Sequence, residues 1–449
     1  VDTQAHQGSN DRMKQLLKRA STRIFPDNLY GSFAKSVGTV SGLRIAGGGL
    51  LFLSQALLAG WMGPDAFGRY SFAWAWVAVL ASIGSLGLGA TSVRYIAAYR
   101  AVELVSRLRG LLRFGTSVTI GGSIVIALIA LAVVSTLMTD SPYQGSLAIA
   151  LFAIPLQSVL TLESSYARGF GWMGFSVVGS QLGRPAFLIV GGLLVSMAAQ
   201  TGHAEPYVVT CLCAYFLAAT VQHLAVRRRI SAVLEPGPRE LDAASWIKMA
   251  GAVLILNVSQ TSRVNVDLLI AGSILPAHEL GIYAAAVRTA TLVAFIVSVA
   301  SLVAQPSIAA LHSQEHPGEL RRFILLATRL IFVSSLVIGA GVGLFGKLIL
   351  GLFGSEFVAG YTSLIILVTG HVLASVFGPM TSLLIMTDKQ TYAAVIHILS
   401  IIFSVILNLI LIPRFGIAGA AMATAVTLVA TNTGLALVAR RLLSRHGLA

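Results

Sequence analysis

Leu58-Ala-Gly-Trp-Met-Gly-Pro64-Asp-Ala-Phe-Gly68-Arg-Tyr70 returns 212 residues later as Ile270-Ala-Gly-Ser-Ile-Leu-Pro276-Ala-His-Glu-Leu-Gly281-Ile-Tyr283, with one residue inserted. Each copy closes one long apolar run and opens another, so the Pro and Gly punctuate a tight connection between two hydrophobic segments. The same offset aligns Ile96-Ala97-Ala98 with Ile308-Ala309-Ala310 and Leu108-Arg109 with Leu320-Arg321. It also aligns Ser123-x-Val125-Ile126 with Ser335-x-Val337-Ile338. Four matches in one order at one spacing mark an internal duplication.

The duplicated material is membrane-spanning. Of 449 residues, 56% are hydrophobic and 11% charged, against about a quarter charged in a soluble domain; mean hydropathy is +0.83. Apolar runs long enough to cross a ~30 Å hydrocarbon core as helices recur from Ser36 onward. The ~10-residue alternation of a β-barrel is absent. The pattern predicts an all-α integral membrane protein of about twelve spans: 36–61, 70–97, 114–137, 145–167, 176–199, 207–226, 248–272, 282–304, 322–345, 361–385, 392–412 and 418–438. These divide into a polar tail (1–35), an N-terminal six-helix lobe (36–230), a linker (231–247), a C-terminal six-helix lobe (248–443) and a short tail (444–449). Six is even, so both copies enter from one side and their pseudo-two-fold axis runs along the membrane normal, a parallel repeat. Two such lobes around an axial cleft form an architecture for alternating access.

Loop charge sets the orientation. About 22 Lys and Arg fall in the tails and the loops after even-numbered spans, against about three on the opposite side, Arg69, Lys347 and Arg414. The positive-inside rule then places both termini in the cytoplasm, with a bacterial inner membrane as the expected location. This placement also explains the net charge of +14 without a nucleic-acid partner. Met13, Leu16, Leu17, Ala20 and Ile24 among Arg12, Lys14, Lys18, Arg19 and Arg23 read either as an amphipathic helix on an anionic leaflet or as a basic tail that sets topology. Cys211 and Cys213 sit on one apolar helix at a spacing that suits neither zinc nor a redox motif. No cleavable signal sequence is visible in the first 35 residues.

Charges deep inside a span cost several kcal/mol and mark cavities or partners. Arg94 and Arg329 lie near span ends and can snorkel. Arg44 and Arg184 stand about eight residues, or ~12 Å, from the cytoplasmic end, while Arg263 and Arg288 form a second level nearer the outside. These four are the candidate lining of a cationic cavity, or else structural residues that cap carbonyls. Arginine is suited to phosphate because its planar fork bonds bidentately and never deprotonates. Asp267, four residues after Arg263, is either a protonation site for ion coupling or the counter-ion of Arg263 and Arg288. Glu163 is placed at the interface, and His371 and His397 are read as hydrogen-bonded packing residues. Gly47-Gly48-Gly49 after Arg44 and Pro185 after Arg184 are candidate kinks. Gly84, Gly87 and Gly89 are read as helix-packing positions.

Gln55–Tyr70 and Asp267–Tyr283 resemble the first hairpin of each half of polysaccharide flippases in the multidrug/oligosaccharidyl-lipid/polysaccharide exporter superfamily. Leu352-Phe-Gly-Ser-Glu-Phe357 and Asn408-Leu-Ile-Leu-Ile-Pro-Arg-Phe-Gly-Ile-Ala-Gly-Ala-Ala421 are similar to that family's last four helices. The resemblance covers roughly residues 36–443. It implies a flippase that carries an undecaprenyl-pyrophosphate-linked oligosaccharide between leaflets, for O-antigen or exopolysaccharide assembly. It further implies V-shaped inward- and outward-open states around a cationic cavity. Membrane lipid, the anionic lipid-linked oligosaccharide and a polysaccharide polymerase are the expected partners. Twelve spans rather than fourteen argue against the lipid II flippase branch, and few deep acids argue against cation-extruding multidrug exporters. An integral-membrane polymerase or glycosyltransferase would need convergent carboxylates on a sizeable external loop, and none is visible. No Walker A motif, metal-ligand cluster or nucleotide fingerprint occurs, so no cofactor and no enzymatic activity are expected. Energy would come from an ion gradient or from the lipid gradient.

Overall fold

The computed structural model describes residues 29–198, 203–313, 317–387 and 389–444, and among these every regular element is a helix. The basic segment around Met13–Ile24 lies outside the described residues. Spans 1 and 2 are one helical run, Leu29–Gly84, broken at Gly63. Its 56 residues would stretch about 84 Å if straight, far beyond a ~30 Å hydrocarbon core, so it must turn back. Gly63, with φ of 75° and ψ of 169°, makes the turn, and Pro64 opens the second arm, where its missing N–H costs nothing. Spans 11 and 12, Gln390–Ser444, fold back in the same way at Gly416.

The other spans are Val105–Leu137 (span 3), Gln144–Leu151 with Ala153–Gly169 (span 4), Glu205–Val233 (span 6), Ala243–Ile274 (span 7), Ala277–Ser313 (span 8) and Pro317–Gly351 (span 9). Span 5 comprises Met173–Val177, a π-helical Val178–Gly183 and Arg184–Ala198; span 10 comprises Ser355–Gly360, Tyr361–Ser375 and Met380–Met386. Among the described residues eight helices are long and apolar enough to cross a membrane, and the bent pair of span 4 makes a ninth. Two of the eight are the folded-back runs. Span 7 completes the twelve; Asn257, Gln260, Arg263, Asn265 and Asp267 dilute its apolarity.

One apolar core gathers residues flanking the turns opposite the basic loops, from both lobes: Leu58, Phe67, Leu147, Tyr207, Leu268, Tyr283, Phe353 and Ile412 among them. At the basic end there are instead two separate cores. One holds Leu88, Ile96, Leu111 and Tyr166 of the N-terminal lobe, and the other Ile308, Leu320, Leu383 and Leu435 of the C-terminal lobe. The lobes are therefore joined at the far end and diverge toward the basic end.

The joint is built on the repeated motif. A Cβ on Gly68 would collide with the Ala277 carbonyl oxygen and stand 2.9 Å from the Gly281 nitrogen. A Cβ on Gly281 would collide with the Pro64 carbonyl oxygen and stand 3.0 Å from the Gly68 nitrogen. Spans 2 and 8 thus cross backbone to backbone at equivalent residues, where the local pseudo-two-fold axis must pass.

Two expectations about kinks change. Span 1 runs unbroken through Gly47-Gly48-Gly49; a Cβ on Gly47 would be 2.8 Å from Gln181, and one on Gly48 2.9 Å from the Phe295 ring. Gly47 and Gly48 are packing surfaces against spans 5 and 8, whereas Gly49 has nothing within 4 Å of its Cβ position. Span 2, conversely, does break, at Ser85–Gly87, with Leu86 at φ 47° and Gly87 at φ 69°. Gly87 also packs, since a Cβ there would press on Leu254 at 2.7 Å.

The linker is strapped to the N-terminal lobe. Glu240 N–H donates to the Ser106 carbonyl at 3.1 Å, and its carboxylate pairs with Arg107 at 2.6 Å. The hydrogen bond from Arg107 holds that carboxyl below the ordinary carboxylate range. Trp246, at the start of span 7, is fully buried in the N-terminal lobe's basic-end core and donates Nε1–H to Tyr99 Oη at 2.9 Å. The first turns of span 7 therefore pack with the N-terminal lobe, although the sequence division assigns residue 248 onward to the other.

Gly68→Ala or Gly281→Ala should cost at least the ~1–3 kcal/mol of an overpacked core. Gly341, with nothing within 4 Å of its Cβ position, should tolerate Ala or gain up to ~1 kcal/mol. Thermal unfolding of the detergent-solubilised proteins measures both; equal stability of all three variants would remove the crossing as the joint.

Candidate functional site: a cationic cleft between the lobes

Arg184 begins the α-helical part of span 5, directly after the π-helical turn that re-aims it. Its guanidinium donates to Tyr215 Oη of span 6 and lies 5.0 Å from that ring's centroid. Trp74 stacks on the other side of Tyr215 at 5.1 Å. Arg288, of span 8, lies in the electrostatic reach of Tyr70, Arg184, Asp267 and Tyr215. Arg184 and Arg288 come one from each lobe.

The other two arginines have other neighbours. Arg44 lies in reach of Arg168, at the basic end of span 4, whose guanidinium donates to Ser165 Oγ at 2.8 Å. Arg263 lies in reach of His371 and His397. All four remain half-buried, and the Nε of each is buried without a hydrogen-bond partner. Among the described residues none of the four makes an ion pair.

Asp267 is buried, and its Oδ2 accepts from Tyr283 Oη at 2.8 Å and from Thr424 Oγ1 at 3.2 Å. Its Oδ1 has no partner. The i, i+4 spacing puts Asp267 and Arg263 on one face, yet they do not pair. The short carboxylate is held by hydroxyls of spans 8 and 12.

The N-terminal lobe carries the same arrangement in neutral form. Gln55 Nε2 donates to Tyr70 Oη at 3.5 Å, and Tyr70 Oη lies 3.6 Å from Cys211 Sγ. Gln55 and Asp267 are separated by 212 residues, while Tyr70 and Tyr283, and Cys211 and Thr424, are separated by 213. The triads are copies. Extending the repeat alignment to position 211 would have exposed them.

Glu163 departs from the sequence expectation. It is fully buried rather than interfacial, with Oε1 2.7 Å from His223 Nδ1 and 4.0 Å from Arg227 Nε. Arg227 also donates to Thr116 at 3.0 Å. A carboxylate can be sheltered there because span 6 supplies both partners, a cross-helix match that one-dimensional depth does not show. His397 is buried with Nδ1 unpartnered, so the expected packing hydrogen bond is missing at that atom.

Two duplicated helical lobes around a cleft define a multi-pass membrane protein with a transporter fold. A model of the family described as "Polysaccharide biosynthesis protein" matches residues 33–312, and the chain belongs to that family. The chain is 33% identical over 174 residues to a Haloferax volcanii protein named "Probable low-salt glycan biosynthesis flippase Agl15"; the match spans 38% of this chain and 36% of that relative's length. Among solved structures, an inward-facing multidrug resistance MATE family transporter of the MOP superfamily superposes with a TM-score of 0.73 at 14% identity, over 90% of this chain and 98% of that one. The lipid II flippase MurJ in an inward closed conformation gives 0.71 at 13% identity, over 89% and 87%. A MOP superfamily transporter from Pyrococcus furiosus, described as having a binding pocket of reversed polarity, gives 0.65 at 13%, over 91% and 96%. At these identities the likeness establishes the fold.

A double-mutant cycle checks the partners of Asp267. Asp267→Asn with Tyr283→Phe should show a coupling of ~1–3 kcal/mol in unfolding free energy. Asp267→Asn with Arg263→Gln should be additive within ~0.5 kcal/mol; strong coupling in that second cycle would restore the ion pair.

Proposed function

We propose that this protein is a flippase that moves a pyrophosphate-linked lipid oligosaccharide between leaflets by alternating access, in the service of surface polysaccharide assembly. The observation that carries this reading is that Arg184 and Arg288, one from each lobe, are half-buried inside their spans with Nε buried and unpartnered, and that neither makes an ion pair among the described residues. Unpaired charges in a poorly solvated cleft are costly, and a bound anion removes that cost. A pyrophosphate offers enough acceptor oxygens to satisfy both forks at once. Arg44 and Arg168, nearer the basic end, would meet the headgroup first and pass it inward. Arg263, on span 7, would hold it on the C-terminal side.

The likeness to the Haloferax glycan biosynthesis flippase supports a lipid-linked glycan cargo, as does membership of the polysaccharide biosynthesis protein family. In this reading the basic end faces the cytoplasm of a bacterial inner membrane, no bond is made or broken, and no cofactor takes part. A polymerase would receive the cargo on the far side.

Complementation of surface-polysaccharide export in a flippase-null strain tests the arginines, with membrane expression verified for each variant. Arg184→Glu and Arg288→Glu should abolish export. Arg→Gln should weaken binding roughly ten- to hundred-fold, the worth of a charge-assisted bond of ~1.5–3 kcal/mol. Arg→Lys should fall between, keeping charge without the fork. Well-expressed Arg184→Glu and Arg288→Glu proteins that complement fully would refute the reading.

Orientation has its own measurement. Reporter fusions near residues 105, 235 and 445 should report cytoplasm, and those near 142 and 203 the opposite side. An external signal near 235 would overturn both the orientation and the even division of spans.

A further inference from the structure

A cluster of rings in the N-terminal lobe holds a polar group that the flippase reading leaves unused, and the inference rests on that reading. Tyr70 and Trp74 lie one turn apart on one face of span 2, with ring centroids 6.0 Å apart. Trp74 stacks on Tyr215 of span 6, the centroids 5.1 Å apart and the planes 22° from parallel. Arg184 donates to the hydroxyl of that same Tyr215, with its guanidinium carbon 5.0 Å from the ring centroid. One aromatic ring therefore carries both the indole and the guanidinium.

Two donors in this cluster are unmatched. Trp74 is 8% exposed, and its Nε1–H is buried without a hydrogen-bond partner, as is the Nε–H of Arg184. The hydroxyls beside them are engaged elsewhere: Tyr215 Oη takes the bond from Arg184, and Tyr70 Oη accepts from Gln55 and lies against Cys211 Sγ. A buried donor without an acceptor forfeits its hydration for no return, so such a group calls for an explanation. Packing alone does not ask for an indole, because a phenyl ring would keep the stack without burying an N–H. The duplication makes the same point. The 213-residue spacing that relates Tyr70 to Tyr283 and Cys211 to Thr424 puts Val287 at the place of Trp74 and Leu428 at that of Tyr215. The scaffold is thus built without either ring in the C-terminal lobe.

We propose that Trp74 is a further cargo-binding residue: its indole N–H donates to a phosphate oxygen of the anion held by Arg184, and Tyr215 fixes the two donors relative to each other. An indole N–H is a donor only and carries no charge, so it recognises an oxyanion without adding a second buried cation. An oxyanion is also the acceptor that suits both unmatched groups at once. Arg184 asks for negative charge, Trp74 asks for a lone pair, and a phosphate supplies both. A sugar hydroxyl would satisfy the indole and leave the guanidinium unpaired. The stack on Tyr215 holds the indole in one orientation, so little freedom is lost when the bond forms.

Trp74→Phe removes the N–H and keeps the stack. Farnesyl pyrophosphate is titrated by calorimetry against the full chain in nanodiscs, with Arg184→Gln as reference. Trp74→Phe should bind roughly tenfold weaker, the lower end of a hydrogen bond to a charged group. Inorganic pyrophosphate should bind the unaltered protein far more weakly than the farnesyl compound, because it buries no apolar chain; equal affinity would make this a seat for free anions and overturn the flippase reading. The unaltered protein supplies a second measurement, by magnetic resonance of its five tryptophans labelled at the indole nitrogen. The Trp74 signal, assigned by elimination with single Phe replacements of Trp61, Trp76, Trp172 and Trp246, should move on adding farnesyl pyrophosphate and stay in place with farnesol. This measurement carries the test alone if Trp74→Phe does not fold. A folded Trp74→Phe protein with affinity within twofold of the unaltered one would overturn the proposal. So would an indole signal that farnesyl pyrophosphate leaves in place or that farnesol moves equally. If Arg184→Gln binds like the unaltered protein, the flippase seat fails and the role of Trp74 with it; if Arg184→Gln weakens binding while Trp74→Phe does not, only the role of Trp74 fails.

Discussion

The backbone crossing of spans 2 and 8 at Gly68 and Gly281 is the contact on which the rest of the molecule depends. With side chains on both helices, interaxial distances run to about 8–10 Å. Removing the Cβ at the crossing lets the helices touch through main-chain atoms, as small residues do in membrane helix packing. Because the two glycines are repeat-equivalent, the contact is self-complementary in the manner of a two-fold interface. Everything on the far side condenses around it into one core. Everything on the basic side is free of it, and the lobes there keep cores of their own. A pivot at one end with independent cores at the other is the mechanical minimum for a cleft that can change its exposure.

That geometry also explains why charge is tolerable so deep in the chain. A guanidinium against lipid mid-span would cost several kcal/mol, but Arg184 and Arg288 are half-buried within their spans. Tyr70, Tyr215 and Tyr283 provide hydroxyls and aromatic faces without adding charge. Span 7 pushes the same logic furthest. Its Asn257–Asp267 stretch is too polar for a lipid-facing helix, yet Trp246 anchors its beginning in one lobe and Asp267, through Thr424, ties its end to the other. The two lobes are therefore not wholly independent bodies, and any relative rotation has to be absorbed along span 7.

Much of this was legible in the sequence because it obeys one-dimensional rules. Hydropathy and the Pro–Gly punctuation give twelve spans, since helices in lipid must satisfy their own backbone. The fixed offset gives the duplication. What is lost is everything that depends on rotation about a helix axis. Depth alone sets Arg44 level with Arg184, but it does not show that Arg184 follows a π-helical turn and donates to Tyr215 of span 6. Spacing alone pairs Asp267 with Arg263, but the shorter side chain goes to the neighbouring helices' hydroxyls. Gly47 to Gly49 look like a hinge in sequence; in three dimensions Gly47 and Gly48 are the surface on which spans 5 and 8 rest. Only the triads were within reach of the sequence, as residues 55, 70 and 211 recurring at 267, 283 and 424.

Duplication followed by divergence leaves a specific physical signature here. Conserved in kind across the repeat are the elements that set geometry: the glycine pair, the proline at the turn (Pro64 and Pro276), and the tyrosine that reaches from the even helix back to the odd one. Divergent are the groups that would meet a ligand, since Gln55 faces Asp267 across the axis and neither Arg184 nor Arg288 has an arginine at the equivalent place. A perfectly symmetric cleft would present the same field from both walls, and an asymmetric cargo, a charged phosphate end carrying a neutral sugar, would have no reason to prefer one orientation. A neutral amide at one place and a carboxylate at its copy make the two walls unequal. That inequality gives a symmetric scaffold the means to treat the two ends of its ligand differently.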